Sequence, residues 1–404
     1  MMKITILQLL LYTILAIGIY FVDAVFIKVL FLAIIIYSAI ATKRINQFLV
    51  FSAVSLVLNT FPSPVYWVIT CIPLFLNQGL LNKAQKHITP LVLFFLLAFM
   101  SFVFGRQSEI NTMLILFMSV LMFVQALDIK ITLQELFIYS LFAFVVLGAV
   151  LLLEMMQGGL ELKFGRLNID GSVRTVANIA AFPAFVSWSL MLQKENTINK
   201  VVLVIIGLIS TAVLLMTISK GAIAAVVVGV LASSLYSVSK KSILSLSFIV
   251  LLLYVVLNKY LFTIEDFHFF RLTEDIDGFS GRTDIWSVFL NQFTSSLTTI
   301  LFGFGPGDIK RFAFADDAYA HSLFFDLLLS YGVLMSILYV FVLIRIAINI
   351  LRSKNSMALG MYLFTILLFA THGSATYSTF YIYIGTACAM TIAPKTINII
   401  NKWR

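Results

Sequence analysis

The stretch LQELFIYSLFAFVVLGAVLLLEMM, Leu133 to Met156, decides the class of this chain. Its charges are Glu135 and Glu154, one near each end. About 20 mostly apolar residues in a helix span the ~30 Å hydrocarbon core of a bilayer. A soluble fold would have to bury such a run on every side.

The same reading extends along the chain. Of 404 residues, 61% are hydrophobic and 11% charged. Folding of a soluble domain this long could not hide that much apolar surface. Candidate spans fall at Ile4–Val22, Ala24–Ala41, Ile45–Phe61, Val65–Leu81, Ile88–Phe104, Asn111–Leu127 and Leu133–Met156. They continue at Val176–Gln193, Val201–Ile218, Gly221–Val238, Ile243–Phe262, Ala320–Ile344, Met357–Ala370 and Thr376–Ala393. The third and fourth form a tight hairpin around Phe61-Pro62-Ser63-Pro64, so the range is 12–14 spans. Met1–Lys3 lead directly into an apolar run with no small-x-small cleavage pattern, and the expectation is an uncleaved first span. The fold expected is all-α: one polytopic transmembrane bundle over residues 1–404, with extracytoplasmic loops at 158–175 and 263–320.

Charge sets the orientation. With Met1 inside, the inner segments carry Lys43, Arg44, Lys83, Lys86, Lys130, Lys194, Lys200, Lys240, Lys241, Arg345, Arg352, Lys354 and Lys395, against the acids Asp128, Glu135 and Glu195. Positive charge collects on the cytoplasmic side of membrane proteins. Both termini are therefore expected inside. The net charge of +9 reflects this asymmetry and not a nucleic-acid surface. Cys71 and Cys388 lie in apolar runs and read as small hydrophobes, and no histidine or cysteine spacing suits zinc, so no metal or cofactor is expected.

The long outer loop has internal order. Trp286, Phe289, Phe293, Leu297 and Ile300 recur at three and four residues, which predicts one amphipathic helix lying on the membrane or capping the bundle. Gly303-Phe304-Gly305-Pro306-Gly307 then breaks it. Arg166, Arg174, Lys220, Arg271 and Arg282 fall on the expected outer side, where the inside excess of positive charge does not account for them. Guanidinium groups suit phosphate oxygens, and the competing reading pairs them with Asp170, Glu274, Asp275, Asp277 and Asp284. His321 opens the span after the loop and has the chemistry of a proton acceptor; His372 and His268 have weaker contexts. Glu154 and Asp326 lie within spans near the outer side. The acidic run Glu274–Asp277 reads as solvated loop.

Four segments in order, Gly281-Arg282-Thr283-Asp284-Ile285-Trp286, Leu301-Phe302-Gly303-Phe304-Gly305, Ala320-His321-Ser322 and Tyr331-Gly332-Val333, resemble the bacterial O-antigen polymerase and O-antigen ligase superfamily. Thr217–Gly221 resembles that family's Ser-Arg-Gly turn, with Lys220 in place of the arginine. The resemblance implies a GT-C-like glycosyltransferase in the bacterial inner membrane, using an undecaprenyl-diphosphate-linked oligosaccharide without metal or nucleotide sugar. It implies that Lys220 and Arg282 bind the diphosphate, with His321 near the reacting centre. From their outer position and charge alone, Arg166, Arg174 and Arg271 are expected as supporting cations. The expected partners are that lipid-linked oligosaccharide, the bilayer and, as a further candidate, a chain-length regulator. A polymerase is favoured; a ligase acting on lipid A-core and a lipid-linked glycan transporter are the alternatives.

Overall fold

A computed structural model describes residues 88–105, 109–127, 129–157, 160–163, 166–169, 173–193, 197–217, 219–235, 282–306, 322–372 and 378–391. The four spans expected before residue 88, the span at Ile243–Phe262, Cys71, His268, Arg271, the Glu274–Asp277 run and His321 lie outside those residues.

The described residues are helical apart from one short hairpin. The helices are α1 (Ile88–Phe104), α2 (Ile110–Ala126), α3 (Leu133–Gln157), α4 (Val173–Leu192), α5 (Lys200–Met216), α6 (Lys220–Ser234), α7 (Arg282–Phe293), α8 (Leu297–Phe302), α9 (Leu323–Ser353), α10 (Ser356–His372) and α11 (Ser378–Thr391). Segment 158–175 was expected as loop. It contains an antiparallel hairpin of β1 (Leu160–Lys163) and β2 (Arg166–Ile169), pairing Lys163 with Arg166 and Leu160 with Ile169. The alternation of Leu160, Leu162, Leu167 and Ile169 with polar residues suits a two-faced strand pair, a period too short to stand out beside the long apolar runs.

Two helices, α3 over Leu133–Leu152 and α9, are long and apolar enough to cross a membrane. Shorter apolar helices surround them. On α9, Ile337, Val340, Phe341, Ile344, Ile348 and Leu351 are exposed at helical spacing, and Met335, Tyr339, Leu343, Ile346 and Ile350 on the opposite side are buried. Both faces of this helix are thus apolar: one packs in the bundle and the other is uncovered by the described chain. In water that outer face would be an unpaired hydrophobic patch.

Helices α3 to α6 alternate in direction, as do α9 to α11. One end is fixed by Gln134 Nε2 donating to Thr197 Oγ1 (3.3 Å), Gln193 Nε2 to the Ser233 carbonyl (2.9 Å) and Asn355 Nδ2 to the Met390 carbonyl (2.7 Å). These bonds bring together the start of α3, the ends of α4, α6 and α11, and the α9–α10 turn. Exposed Lys130, Lys200, Arg352 and Lys354 sit at this end, with exposed Arg345 two turns along α9. The hairpin and the starts of α4, α6, α9 and α11 mark the opposite end.

Small residues let the central helices approach. Ala225, Gly229 and Ser233 recur every fourth residue on α6, and a Cβ on Gly360 of α10 would stand 2.5 Å from the Gly229 carbonyl and 2.6 Å from Ser233 Cβ. A Cβ on Gly229 would likewise meet Phe364 Cβ at 2.7 Å. Such small-residue crossings gain dispersion contact where a lipid-like surround offers no hydrophobic driving force. Around them stacks an aromatic core: Phe185 on Phe364 (4.6 Å, 6°), Phe182 on Tyr383 (4.6 Å, 13°) and Tyr139 on Phe182 (4.8 Å). Several buried threonine hydroxyls close on their own helices, as Thr365 Oγ1 to Met361 O (2.7 Å) and Thr386 Oγ1 to Ile382 O (2.8 Å). That local pairing removes the cost of a polar group without water.

Candidate functional site

The glycine segment after α8 locks into a break in α9. Gly332 has φ 76° and ψ −178°, inside what would otherwise be one helix of 31 residues. Gly303, the C-cap of α8, has φ 77° and ψ −170°. Both lie in a region of backbone space that only glycine occupies readily. The two breaks face each other. A Cβ on Gly303 would fall 2.5 Å from the Ser330 carbonyl oxygen and 2.6 Å from Tyr331 N, and one on Gly332 would collide with the Leu301 carbonyl and stand 2.5 Å from Phe302 N.

The break frees carbonyls that a continuous helix would have satisfied. Three of them find donors outside the helix. Phe304 N–H donates to Leu329 O (2.7 Å) and Gly305 N–H to Ser330 O (3.0 Å), and Ser101 Oγ on α1 shares its proton between Tyr331 O (3.1 Å) and Leu97 O (3.1 Å) of its own helix. Glu109 N–H, just before α2, donates to Pro306 O (2.6 Å). Gly105 completes the cradle: a Cβ there would run into Gly305. The segment Leu301–Pro306 is therefore threaded between the end of α1, the start of α2 and the broken helix, with its backbone polar groups paired as an apolar surround requires. Ser101, Gly105 and Glu109 were not singled out from sequence. They lie outside the loop motifs, and only the Phe104-Gly105 step at a helix end hints at them.

The loop helix differs from expectation. The stripe Trp286–Ile300 is divided into α7 and α8, not one helix. The cause is Thr294-Ser295-Ser296. Thr294 and Ser295 hydroxyls donate back to the Leu290 (2.9 Å) and Gln292 (2.6 Å) carbonyls, and Ser296 Oγ caps α8 by accepting from Thr299 N (3.1 Å). Leu297 consequently points outward, 71% exposed. Phe289 and Phe293 keep the expected role: with Phe304 and Leu329 they form a small core separate from that of the bundle, flanked by Ile300, Phe325, Leu328 and Val333.

From Val333 to Ser353 the unbroken part of α9 has 21 residues, about 32 Å, and carries the exposed Arg345 and Arg352 in its second half.

Three of the sequence-nominated cations belong to the same end of the bundle. Arg166 opens β2, Arg174 lies in the first turn of α4, and Lys220 is the first residue of α6 and exposed. β2 packs against α4 and α5. Arg282 opens α7, whose Phe289 and Phe293 anchor it over the lock. His372 ends α10 at this end too. The N-termini of α4 and α6 add partial positive charge to the lysine and arginine charges there. Such an end is suited to an anion. Among the described residues no cluster of histidine, cysteine and carboxylate suited to a metal occurs. No family model matches the chain, and no curated protein is significantly similar to it.

Proposed function

We propose that this chain is a polytopic membrane glycosyltransferase of the GT-C kind, a polymerase of O-antigen or a related surface polysaccharide. It moves the growing glycan from undecaprenyl diphosphate onto a lipid-linked repeat unit at the extracytoplasmic face of the bacterial inner membrane. The observation that carries this reading is the lock itself. Two short motifs some thirty residues apart, Leu301–Gly305 and Tyr331–Val333, are the two halves of one backbone joint, at the end of the bundle that also holds Arg166, Arg174 and Lys220.

The chemistry follows from that arrangement. The exposed cations Lys130, Lys200, Arg352 and Lys354 support a cytoplasmic position for the opposite end, since positive charge favours that side. A lipid diphosphate in the outer leaflet then lies level with Lys220 and the helix break. Lys220 and Arg282 clamp the diphosphate, Arg166, Arg174 and Arg271 support them, and the growing negative charge of the leaving group is stabilised in a setting of low dielectric. His321 takes the proton of the acceptor hydroxyl as its oxygen bonds to the anomeric carbon and the carbon–diphosphate oxygen bond breaks. A single displacement inverts that carbon.

The test is elongation by the purified chain in liposomes supplied with lipid-linked repeat unit. Products longer by whole repeats support the proposal. Unchanged substrate, or its movement across the bilayer without bond formation, refutes it. Transfer to lipid A-core in place of elongation identifies a ligase.

A further inference from the structure

The last turns of α9 carry two exposed stripes side by side. Phe341, Ile344, Ile348 and Leu351 form one. Arg345, Asn349 and Arg352 form the other. Both repeat at three and four residues, so the members of each are neighbours on the helix surface. The remaining side of these turns, Leu343, Ile346 and Ile350, is buried in the bundle. Among the described residues, the side chains of Arg345, Asn349 and Arg352 make no hydrogen bond or ion pair.

The two stripes need opposite surrounds. Hydrocarbon covers the apolar stripe but leaves two guanidinium groups without a counter-charge. Water solvates the guanidinium groups but leaves the apolar stripe as an open patch. An amphiphile with an anionic head and an apolar tail satisfies both. The negative end of the helix accounts for Arg352 in the last turn and Lys354 at the C-cap, but Arg345 stands two turns earlier. An excess of positive charge on one side accounts for the number of cations there, and not for their alignment beside an apolar stripe. Protein anions are scarce at this end. The segments expected there carry the acids Asp128, Glu135 and Glu195, and Glu135 already accepts from Thr132 N (2.8 Å) and Thr132 Oγ1 (2.7 Å). A second copy seated on the same face would set arginine against arginine. We propose that Arg345, Asn349 and Arg352 bind the phosphate of an anionic glycerophospholipid, whose acyl chains lie along Ile348, Ile344, Phe341 and Ile337. Side chains on a helix lean toward its N-terminus, so Arg352 leans over Asn349 toward Arg345. The two guanidinium forks donate to the phosphate oxygens, and the Asn349 amide between them donates a further bond. The site goes beyond the reaction proposed at the opposite end and does not depend on it. It requires that α9 lie in a bilayer, for which the helix is long and apolar enough.

The test is thermal unfolding of the full chain, freed of lipid in detergent and titrated with dioleoylphosphatidylglycerol. The unfolding temperature should rise saturably, and neither dioleoylphosphatidylcholine nor inorganic phosphate should reproduce the rise. Arg345→Gln and Arg352→Gln should each raise the half-saturating mole fraction about tenfold, the equivalent of one lost hydrogen bond between charged groups. Lys200→Gln removes an exposed cation at the same end but on another helix, and should change that mole fraction less than about twofold. Without lipid the three variants should melt within about a degree of the wild type, because the substituted side chains are exposed. No rise with phosphatidylglycerol, or an equal rise with phosphatidylcholine or inorganic phosphate, would overturn the site. An equal loss in Lys200→Gln would do the same, because it would show diffuse attraction in place of a site. So would a lipid-free wild type that runs as a dimer on size exclusion and as a monomer after Phe341→Arg, which would assign the face to a second copy.

Discussion

Gly332→Ala should destabilise the protein through the joint between α8 and the break in α9. The added Cβ would collide with the Leu301 carbonyl and lie 2.5 Å from Phe302 N, both backbone groups that cannot rotate away. The residue must also hold φ 76° and ψ −178°, which costs a non-glycine residue on the order of 1–3 kcal/mol. Relieving the collision means parting the two strands of the joint, which lengthens the Phe304–Leu329 and Gly305–Ser330 hydrogen bonds, each contributing about 1 kcal/mol. Together these give roughly 3–5 kcal/mol. With an unfolding entropy of ~2.1 cal/mol/K per residue, the transition should fall by roughly 4–6 °C if the whole chain melts as one unit. Gly148→Ala is the control. Gly148 lies mid-way along α3, exposed, and a Cβ there meets nothing within 4 Å. That change should stabilise by about 0.5–1 kcal/mol through helix propensity. The assay is thermal unfolding of the two purified variants in one detergent. A Gly332→Ala protein that melts within a degree of the wild type would refute the joint as described.

Gly360→Val should cost more than a typical core change, because its Cβ alone would press on the Gly229 carbonyl and Ser233 at the α6–α10 crossing; loss of the folded monomer on size exclusion is the readout, and a monomer of unchanged melting temperature would contradict it. Ser101→Ala should destabilise by about 1 kcal/mol, since it leaves the freed Tyr331 carbonyl without its cross-helix donor, and Ser119→Ala, whose hydroxyl bonds only within its own helix in a 2.7 Å bond to Ile115 O, should cost less in the same melt. Lys220→Ala should lower the elongation rate about tenfold or more at unchanged melting temperature, and Lys220→Arg should restore most of it, since the side chain is exposed and the proposal asks only for its charge; equal rates in all three proteins would remove Lys220 from the site.

Much of the scaffold was legible. Most described helices begin and end within a few residues of the apolar runs: Ile88–Phe104 coincides with α1, and Leu133–Met156 differs from α3 by one residue, whereas α9 runs nine residues past the expected end at Ile344, through Arg345 and Arg352 to Ser353. An apolar run bounded by charge has one solution in a lipid-like surround, a helix that satisfies its own backbone, so length and hydropathy suffice to find it. The glycines of the loop were legible as breaks for a related reason. Gly303 and Gly305 sit in a five-residue cluster with proline, and nothing but a turn tolerates that composition. Gly332 was not. It lies in LLLSYGVLMS, where hydropathy is unbroken and a lone glycine is ordinary in a membrane helix. What makes it a break is its partner. The helix hydrogen bonds it forfeits are replaced by donors from residues 101, 304 and 305, and that exchange is a property of the packed molecule and of no single segment.

The misreading of the loop helix has the same root. Periodicity alone joined Trp286 to Ile300, because apolar residues at three- and four-residue spacing continue in register across Thr294-Ser295-Ser296. Local hydrogen bonding overrode the pattern. Ser296 is a better N-cap than a helix interior residue, worth about 1 kcal/mol in the first role, and Thr294 and Ser295 terminate the helix before it. The consequence reaches the site. A single straight helix from Arg282 to Phe302 would have no corner, and the chain could not place Phe289 and Phe293 against Phe304 while presenting Gly303 to the break in α9. The corner at Ser295-Ser296 lets one hydrophobic stripe fold back on its own continuation, so the small core of Phe289, Phe293, Phe304 and Leu329 ties the start of the loop to the joint. Arg282, the first residue of α7, is thereby tied through that helix to the same piece of structure that orients the first turns of α9.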